Sequence, residues 1–363
     1  MKKITIVAGA RPNFVKVAPL IRAIEKANGA SYLLVYAGRE DDPTLEASIF
    51  DDLQMPRPTV YLGVDSTSLN EITSRVMAEF DALLDRQPTD VVIVVDDLAS
   101  TMATAIVTKK RGLKLAHLVA GTRSFDMNMP KEVNRLVIDA LSDYLFTAGV
   151  KSNSVATREQ ASLVEGGRLM VEGGTYMVGN ILMDTLRFNH QRLTPPSTIN
   201  LTPSTYLVFT LNRKALLADE EKLQQLLKAM IQAADGTPII APLRGLAAEK
   251  VASLNLPPSS FHQITPLPYL EFGWLTANAK GIITDSGNVA EEATFNGVPC
   301  ITLNSYTEHQ ETVSVGSNVL VGEDPQRLAE EVLRMVRGEW KHSALPDRWD
   351  GRTAERIVQI LMQ

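Results

Sequence analysis

The stretch ITIVAGARPNFVKVAPLIRAI, residues 4–24, contains the pattern that decides the fold. Ile4–Ala8 is a short apolar run that Gly9 ends, and apolar residues then recur at helical spacing at Val17, Leu20, Ile21 and Ile24. A buried strand followed at once by an amphipathic helix is the unit from which parallel sheets are built.

The same unit recurs along the chain. A polar, proline-containing segment at residues 190–203 separates two groups of further strand candidates. The first group is Ser31–Ala37, Asp90–Val95, Lys114–Val119 and Tyr144–Thr147. The second group is Tyr206–Thr210, Thr237–Ala241, Gly281–Thr284 and Val298–Leu303. Helical stretches lie between them. The pattern predicts an α/β protein with two Rossmann-like domains, each a parallel sheet with right-handed crossovers.

The restart of the pattern also predicts the domain limits. We expect an N-terminal Rossmann-like domain over residues 1–175, joined by a C-terminal helix at about 350–363, and a nucleotide-binding Rossmann-like domain over residues 176–349. Ligands of open parallel sheets bind beyond the carboxyl ends of the strands. We therefore expect the binding site in an interdomain cleft.

Composition excludes several classes of protein. The chain has 363 residues, of which 45% are hydrophobic and 21% charged, a normal globular mixture. The net charge of −6 argues against nucleic acid as a partner. No apolar run approaches the length of a membrane span, and the start of the chain is typical of a first strand rather than a signal peptide. We expect a cytoplasmic protein with no membrane contact.

Cofactor and metal chemistry have no support in the sequence. The single cysteine, Cys300, excludes an intrachain disulfide and a cysteine-based zinc site. The five histidines show no metal-ligand spacing, and no nucleophile motif is visible. We predict no cofactor and no metal.

Two turns have the properties of anion sites. Arg11 and Lys16 flank the turn after the first strand, where the amides at the helix N-terminus can receive an anion. The second turn contains Ser286 and Gly287, with a carboxylate one helical turn later that can accept hydrogen bonds from ribose. An ordinary turn with two solvated cations and a capped helix are the alternatives. Neither turn is a GxGxxG or P-loop motif.

These motifs resemble those of the non-hydrolysing UDP-N-acetylglucosamine 2-epimerases, nearly end to end. The likeness lies in seven ordered segments: residues 9–19, 117–123, 130–135, 179–184, 284–292, 307–311 and 349–357. It implies the two-domain GT-B arrangement, no cofactor, and commonly a homodimer. It also implies a role in polysaccharide biosynthesis. The apolar helix at residues 69–84 would supply the dimer face, or would only cover the sheet.

The resemblance also implies which residues contact the UDP-sugar. Its motifs place the following residues around the ligand: Arg11, Lys16, Arg213, Phe272, Ser286, Gly287, Glu292 and His309. Phe272 would stack on the uracil, or is a core aromatic residue. His309 stands where the family has an arginine.

The acid/base positions depart from the family pattern. Family members remove a proton from C2 of the sugar and return it on the other face, which needs a proton carrier on each side. The segment Asp96-Asp97-Leu98 keeps one carboxylate, Asp97. Ionisable residues of the family are replaced by Val119, Lys131 and Asn212.

Other groups near these positions are candidates for the lost roles. We predict Asp97, Glu132 and His117 as the catalytic set, with Asp126 as a further substitute. Each neighbour has a structural alternative: Glu132 as a helix-start residue, Asp126 as a loop residue and His117 as a core residue.

The sequence therefore predicts a divergent epimerase-like protein that binds a UDP-sugar and has altered or reduced epimerase chemistry. A non-catalytic nucleotide-sugar-binding pseudoenzyme or partner subunit is the first alternative. A UDP-sugar hydrolase or a glycosyltransferase is the weaker one, since fold analogy alone supports the latter.

Overall fold

The computed structural model describes residues 1–165 and 173–363, and the chain divides into two compact units. Unit 1 comprises Met1–Phe188 and Asp347–Gln363, and unit 2 comprises Asn189–Pro346.

Unit 1 alternates strands and helices. Its strands are β1 (Lys2–Ala8), β2 (Ala30–Tyr36), β3 (Val60–Tyr61), β4 (Val91–Val95), β5 (Lys114–Ala120), β6 (Tyr144–Thr147) and β7 (Gly174–Met177). Its helices before the unit boundary are α1 (Arg11–Lys26), α2 (Ala47–Leu53), α3 (Leu69–Arg86), α4 (Ala99–Lys110), α5 (Pro130–Leu141), α6 (Val150–Glu165) and α7 (Leu182–Asn189).

The described strands of unit 1 form one parallel sheet in the order β3-β2-β1-β4-β5-β6-β7. Ile4 pairs with Tyr32 of β2 on one side and with Val91 of β4 on the other. Chain order therefore reverses between β1 and β4. In open α/β sheets, ligands bind at such a reversal, beyond the carboxyl ends of the strands.

Burial explains why these segments are strands. Every residue of β4 is buried, because helices cover both faces of the sheet, and a valine-rich run without charge suits that position. Helix α3 buries Val76, Phe80, Leu83 and Leu84 in the core of unit 1. Its apolar face therefore covers the sheet, the alternative that the sequence left open, and a homodimer remains a prediction.

Unit 2 repeats this construction. Its elements are β8 (Leu207–Phe209), α8 (Lys214–Ala218), α9 (Glu220–Ala233), β9 (Ile239–Pro242), α10 (Gly245–Ser253), β10 (Phe261–Ile264), α11 (Tyr269–Ala277), β11 (Gly281–Thr284), α12 (Gly287–Asn296), β12 (Cys300–Thr302), α13 (Gln310–Ser314), β13 (Asn318–Leu320) and α14 (Pro325–Arg337). The sheet order is β10-β9-β8-β11-β12-β13, so chain order reverses between β8 and β11. The predicted α/β class with two parallel sheets is confirmed.

The predicted boundary after residue 175 falls inside unit 1. Residues 174–177 form β7, which pairs with β6, and α7 follows in the same unit. The C-terminal helix α15 (Thr353–Leu361) packs against α1. Asp184 accepts hydrogen bonds from the backbone N–H groups of Thr353 and Ala354 at 3.0 and 2.8 Å. The segment from β7 to α7 therefore belongs with the helix that returns at the C-terminus.

None of the helices in the described ranges combines the length and the apolar character that a membrane crossing requires.

Candidate functional site

The turns that follow β1 and β4 meet at the reversal in unit 1. Lys16 Nζ lies 2.6 Å from Asp96 Oδ1, and Asn13 donates from Nδ2 to Asp96 Oδ2 at 2.8 Å. The side chain of Lys16 is 6% exposed and that of Asp96 is 21% exposed. The cation predicted to bind phosphate therefore forms a largely buried ion pair with a carboxylate that sequence reasoning did not single out.

Asn13 also occupies the amides of the β1–α1 turn. Its Oδ1 accepts hydrogen bonds from the backbone N–H groups of Gly9 and Ala10, at 2.9 and 3.0 Å. These two amides are therefore occupied within the protein, and anion binding by the amides of the helix N-terminus stays a prediction. Arg11 begins α1, and its Nη2 lies 3.9 Å from Glu46 Oε2. Its role toward a ligand stays a prediction.

Asp97, the retained acid/base candidate, is held by two cations. Arg135 donates to Asp97 Oδ2 from Nε at 2.8 Å, and Lys131 Nζ lies 3.5 Å from Oδ1. Burial alone would raise the pKa of Asp97, but the charges of Lys131, Arg135 and Lys16 outweigh it and lower the pKa. Asp97 is therefore a stabilised carboxylate, and stabilisation of the ionised form makes it a weaker base.

Glu132 organises the loop before α5. It accepts hydrogen bonds from the backbone N–H and the hydroxyl of Ser124, both at 2.8 Å, and from the N–H of Phe125 at 3.1 Å. Arg135 Nη1 donates to it at 3.1 Å. Burial would raise the pKa of Glu132, but the hydrogen bonds from Ser124, Phe125 and Arg135 lower it. These contacts match the structural alternative for Glu132, and a catalytic role stays a prediction.

His117 has both ring nitrogens engaged. Nδ1 lies 2.5 Å from Asp139 Oδ1, and Nε2 lies 2.9 Å from the backbone oxygen of Asp96. Both partners are oxygen atoms that accept hydrogen bonds. His117 is 1% exposed, and Arg123 Nη2 contacts the other oxygen of Asp139 at 2.7 Å. Both ring nitrogens are therefore engaged within the protein, which favours the core alternative for His117, and a catalytic role stays a prediction.

Val119 keeps a strained backbone without an ionisable side chain. Its φ is +73°, in the left-handed region that β-branched residues avoid. The pairing of β5 with β6 shifts register between Leu118 and Ala120. This bulge leaves Val119, which is half-buried, unpaired between the two strands. Backbone strain of this kind is common at functional positions, but the side chain of Val119 has no ionisable proton.

Asp126, the further substitute, is an exposed loop residue. It accepts a hydrogen bond from the backbone N–H of Asn128 at 2.9 Å. This local contact matches the loop alternative.

The reversal in unit 2 brings together the turns after β8 and β11. Asp285 Oδ2 accepts a hydrogen bond from the backbone N–H of Asn212 at 2.8 Å, and Ser286 caps α12 through the N–H of Val289 at 3.4 Å. Arg213 donates from Nη1 to Asn304 Oδ1 at 2.9 Å. Its side chain stays 38% exposed beside Glu323. Arg213 and Ser286 therefore lie at the same edge of the sheet.

Helix α12 carries a second group of predicted residues. His309 Nδ1 lies 2.7 Å from Glu291 Oε1. A Cβ added at Gly287 would come within 2.9 Å of the His309 ring, so glycine leaves room for that ring over the first turn of the helix. His309, Gly287 and Ser286 are therefore neighbours, which the sequence could not show.

Glu292 lies on the same helix and is buried. Burial raises its pKa to about 8, and the neighbouring carboxylate of Glu291 adds to the rise. Glu292 is therefore a neutral carboxylic acid near neutral pH, able to donate as well as accept a hydrogen bond. Phe272, on α11, packs against the core of unit 2, so stacking on a base stays a prediction.

With this geometry, comparison with known proteins identifies the family. A sequence model of UDP-N-acetylglucosamine 2-epimerase matches residues 22–362. The chain belongs to the UDP-N-acetylglucosamine 2-epimerase family. The UDP-N-acetylglucosamine 2-epimerase of Methanocaldococcus jannaschii is 31% identical, over 99% of this chain and 98% of that protein.

A further relative and a solved structure extend the comparison. The UDP-2,3-diacetamido-2,3-dideoxy-D-glucuronate 2-epimerase of Pseudomonas aeruginosa is 31% identical over 89% of this chain and 88% of its own length. A crystal structure of the M. jannaschii enzyme in complex with UDP-GlcNAc and UDP covers 99% of both chains with a TM-score of 0.83 and 32% identity. The resemblance inferred from the motifs is therefore confirmed.

Proposed function

We propose that this chain binds a UDP-sugar and is strongly impaired as a 2-epimerase. The relatives named for UDP-GlcNAc and for UDP-2,3-diacetamido-2,3-dideoxy-D-glucuronate share the UDP group, so UDP is the part of the ligand best supported here. Arg213, Ser286 and the N-terminal turn of α12 supply charge and hydrogen bonds suited to a diphosphate.

The observation that carries the second half of the proposal is the state of the acid/base positions. Val119 has no proton to exchange, and Lys131 places a cation beside Asp97. The two neighbours predicted as substitutes, Glu132 and His117, are committed to structural hydrogen bonds. A proton cannot be taken from one face of C2 and returned on the other with Asp97 alone.

A product analysis separates the proposed function from its alternatives. The purified chain is titrated with UDP by calorimetry, then incubated with UDP-GlcNAc, and the nucleotides are separated by anion exchange. We expect UDP binding and recovery of unchanged UDP-GlcNAc. Accumulation of free UDP would favour a hydrolase, and rapid formation of UDP-N-acetylmannosamine would overturn the proposal.

The test variant for the titration is Arg213→Gln, and the matched control is Arg337→Gln. Both remove one positive charge from unit 2, but Arg337 is exposed at the last residue of α14, whereas Arg213 follows β8 at the reversal between β8 and β11. We expect UDP affinity to fall about tenfold or more in the first variant and to stay unchanged in the second. Equal effects would show that Arg213 acts only through net charge.

The homodimer remains a further proposal, which rests on the family resemblance. Light scattering that gives a mass near 39.8 kDa at all concentrations would reject it.

A further inference from the structure

Asp96 is held in place from three sides. Lys16 Nζ contacts Oδ1 at 2.6 Å, Asn13 Nδ2 donates to Oδ2 at 2.8 Å, and the ring of His117 contacts the backbone oxygen at 2.9 Å. These partners come from α1 and β5, on either side of the β4–α4 turn. Asp96 is therefore fixed by several contacts, unlike a residue in an isolated surface ion pair.

The backbone adds a second observation. Asp96 has φ of +58°, in the left-handed region where glycine is the default residue. Aspartate is one of the few residues other than glycine that adopts this backbone, and here its carboxylate is joined to a largely buried cation. The hydrogen bonds from Lys16 and Asn13 hold the side chain in place.

We propose that the carboxylate of Asp96 sets ligand specificity, because its negative charge beside Lys16 weakens the binding of a ligand phosphate at this turn. The inference rests on the proposed function, because it concerns how the same chain receives a UDP-sugar. Asp96 neutralises Lys16, the cation that the family motif assigns to the ligand. The amides of Gly9 and Ala10 are closed to the ligand by Asn13 in the same way.

The electrostatic consequence follows from the distance. An anion that reaches Lys16 Nζ also comes within a few ångströms of the Asp96 carboxylate, and like charges at that distance repel. The repulsion is stronger in a partly buried turn than in bulk water. A ligand phosphate therefore gains less here than it would from a lysine without a carboxylate partner.

Calorimetric titration with UDP and with uridine tests the proposal on the full chain. Asp96→Asn removes the charge and keeps the size, and Asp96→Gly removes the side chain; both residues tolerate the left-handed backbone. We expect UDP to bind about tenfold or more tightly to either variant, a change of about 1.4 kcal/mol per tenfold. Uridine, which lacks the diphosphate, should bind all proteins equally.

Asp90→Asn is the matched control. It also removes one negative charge, but at the opposite end of β4, where Asp90 Oδ2 accepts a hydrogen bond from the backbone N–H of Lys3. We expect its UDP affinity to equal that of the unmodified chain. Tighter UDP binding in this control as well would overturn the specific role of Asp96.

The remaining outcomes are also decisive. UDP affinity that stays the same or falls in both Asp96 variants would overturn the inference, because Asp96 would then position Lys16 for the ligand. If the unmodified chain binds UDP, that failure leaves the proposed function intact. If no folded variant binds UDP at millimolar concentration, the proposed function fails and this inference falls with it.

Discussion

Lys131 Nζ lies 3.5 Å from Asp97 Oδ1, so a cation faces the retained acid/base carboxylate. The family pattern places a carboxylate at position 131. The exchange reverses the charge beside Asp97 and, together with Arg135, keeps its pKa below the ordinary value despite burial. Lys131 and Arg135 therefore stabilise the ionised form of Asp97, which has no proton to donate.

The first prediction concerns this pair. Replacement Lys131→Gln should raise the pKa of Asp97, because burial is then opposed by fewer charges. Carbon NMR titration of labelled aspartate carboxyls measures it. Lys110→Gln is the control: Lys110 ends α4, about 18 Å along the helix from the turn that contains Asp97. An Asp97 titration curve that does not move in the Lys131 variant contradicts the account.

The second prediction concerns the backbone at Val119. Because φ is +73°, replacement Val119→Gly should relieve strain and raise the free energy of unfolding by about 1 kcal/mol. Val119→Ala is the control, since it removes methyl groups but keeps the Cβ and its strain. Denaturant unfolding compares the two variants. A glycine variant less stable than the alanine variant would show that the position is not strained.

The third prediction concerns Glu292. Its folded pKa of about 8 lies above the ordinary value of 4.5, so the native state holds a proton that the unfolded chain releases. The contribution of Glu292 to stability is fully present below the unfolded pKa and is lost as pH rises toward and through 8. Glu292→Gln should therefore gain on the order of 3 kcal/mol relative to the unmodified chain between pH 5 and 8.

Thermal unfolding across that pH range measures this difference. Glu339→Gln, at an exposed position after α14, serves as the control and should keep the slope of the unmodified chain. Parallel pH profiles for Glu292→Gln and the unmodified chain would contradict the raised pKa.

The strands and the site turns were predictable for a simple reason. Apolar runs such as Val91–Val95 are long enough to read as buried strands, and parallel strands place their following turns at one edge. Arg213 and Ser286 lie at the predicted edge because each follows a strand next to the reversal in unit 2. Local pattern alone therefore located the Ser286 turn, whereas Arg213 was singled out through the family resemblance.

Contacts between distant residues were not predictable. Lys16 and Asp96 are 80 positions apart, and nothing in either segment shows that their side chains meet. Asp139, in the last turn of α5, contacts the ring of His117, which the sequence had offered as a catalytic residue. Such pairings depend on strand register and helix rotation, which the local sequence pattern does not specify.

The fourth prediction restores the lost groups. The triple variant Val119→Glu, Lys131→Glu and Asn212→His should raise epimerisation at least ~100-fold, since each acid/base group contributes ~10²–10⁴ and the effects are not additive. Position 119 is half-buried, and positions 131 and 212 are exposed, so each has access to solvent. The control places Gln at all three positions, which adds polarity without a proton carrier.

Epimerisation assays on the restored and control variants decide this prediction. Equal rates would mean that more than these three groups has been lost. A gain in both variants would show that polarity, not proton transfer, limits the reaction.

Proton exchange at C2 of the sugar tests the central claim most directly. The unmodified chain is incubated with UDP-GlcNAc in heavy water, and proton NMR follows the C2 signal. The account predicts that UDP binds while no deuterium enters C2, because Asp97 is paired with two cations and the neighbouring residues Glu132 and His117 are engaged in hydrogen bonds within the protein. Deuterium at C2 at rates usual for enzymes, ~1–10³ per second, would contradict it.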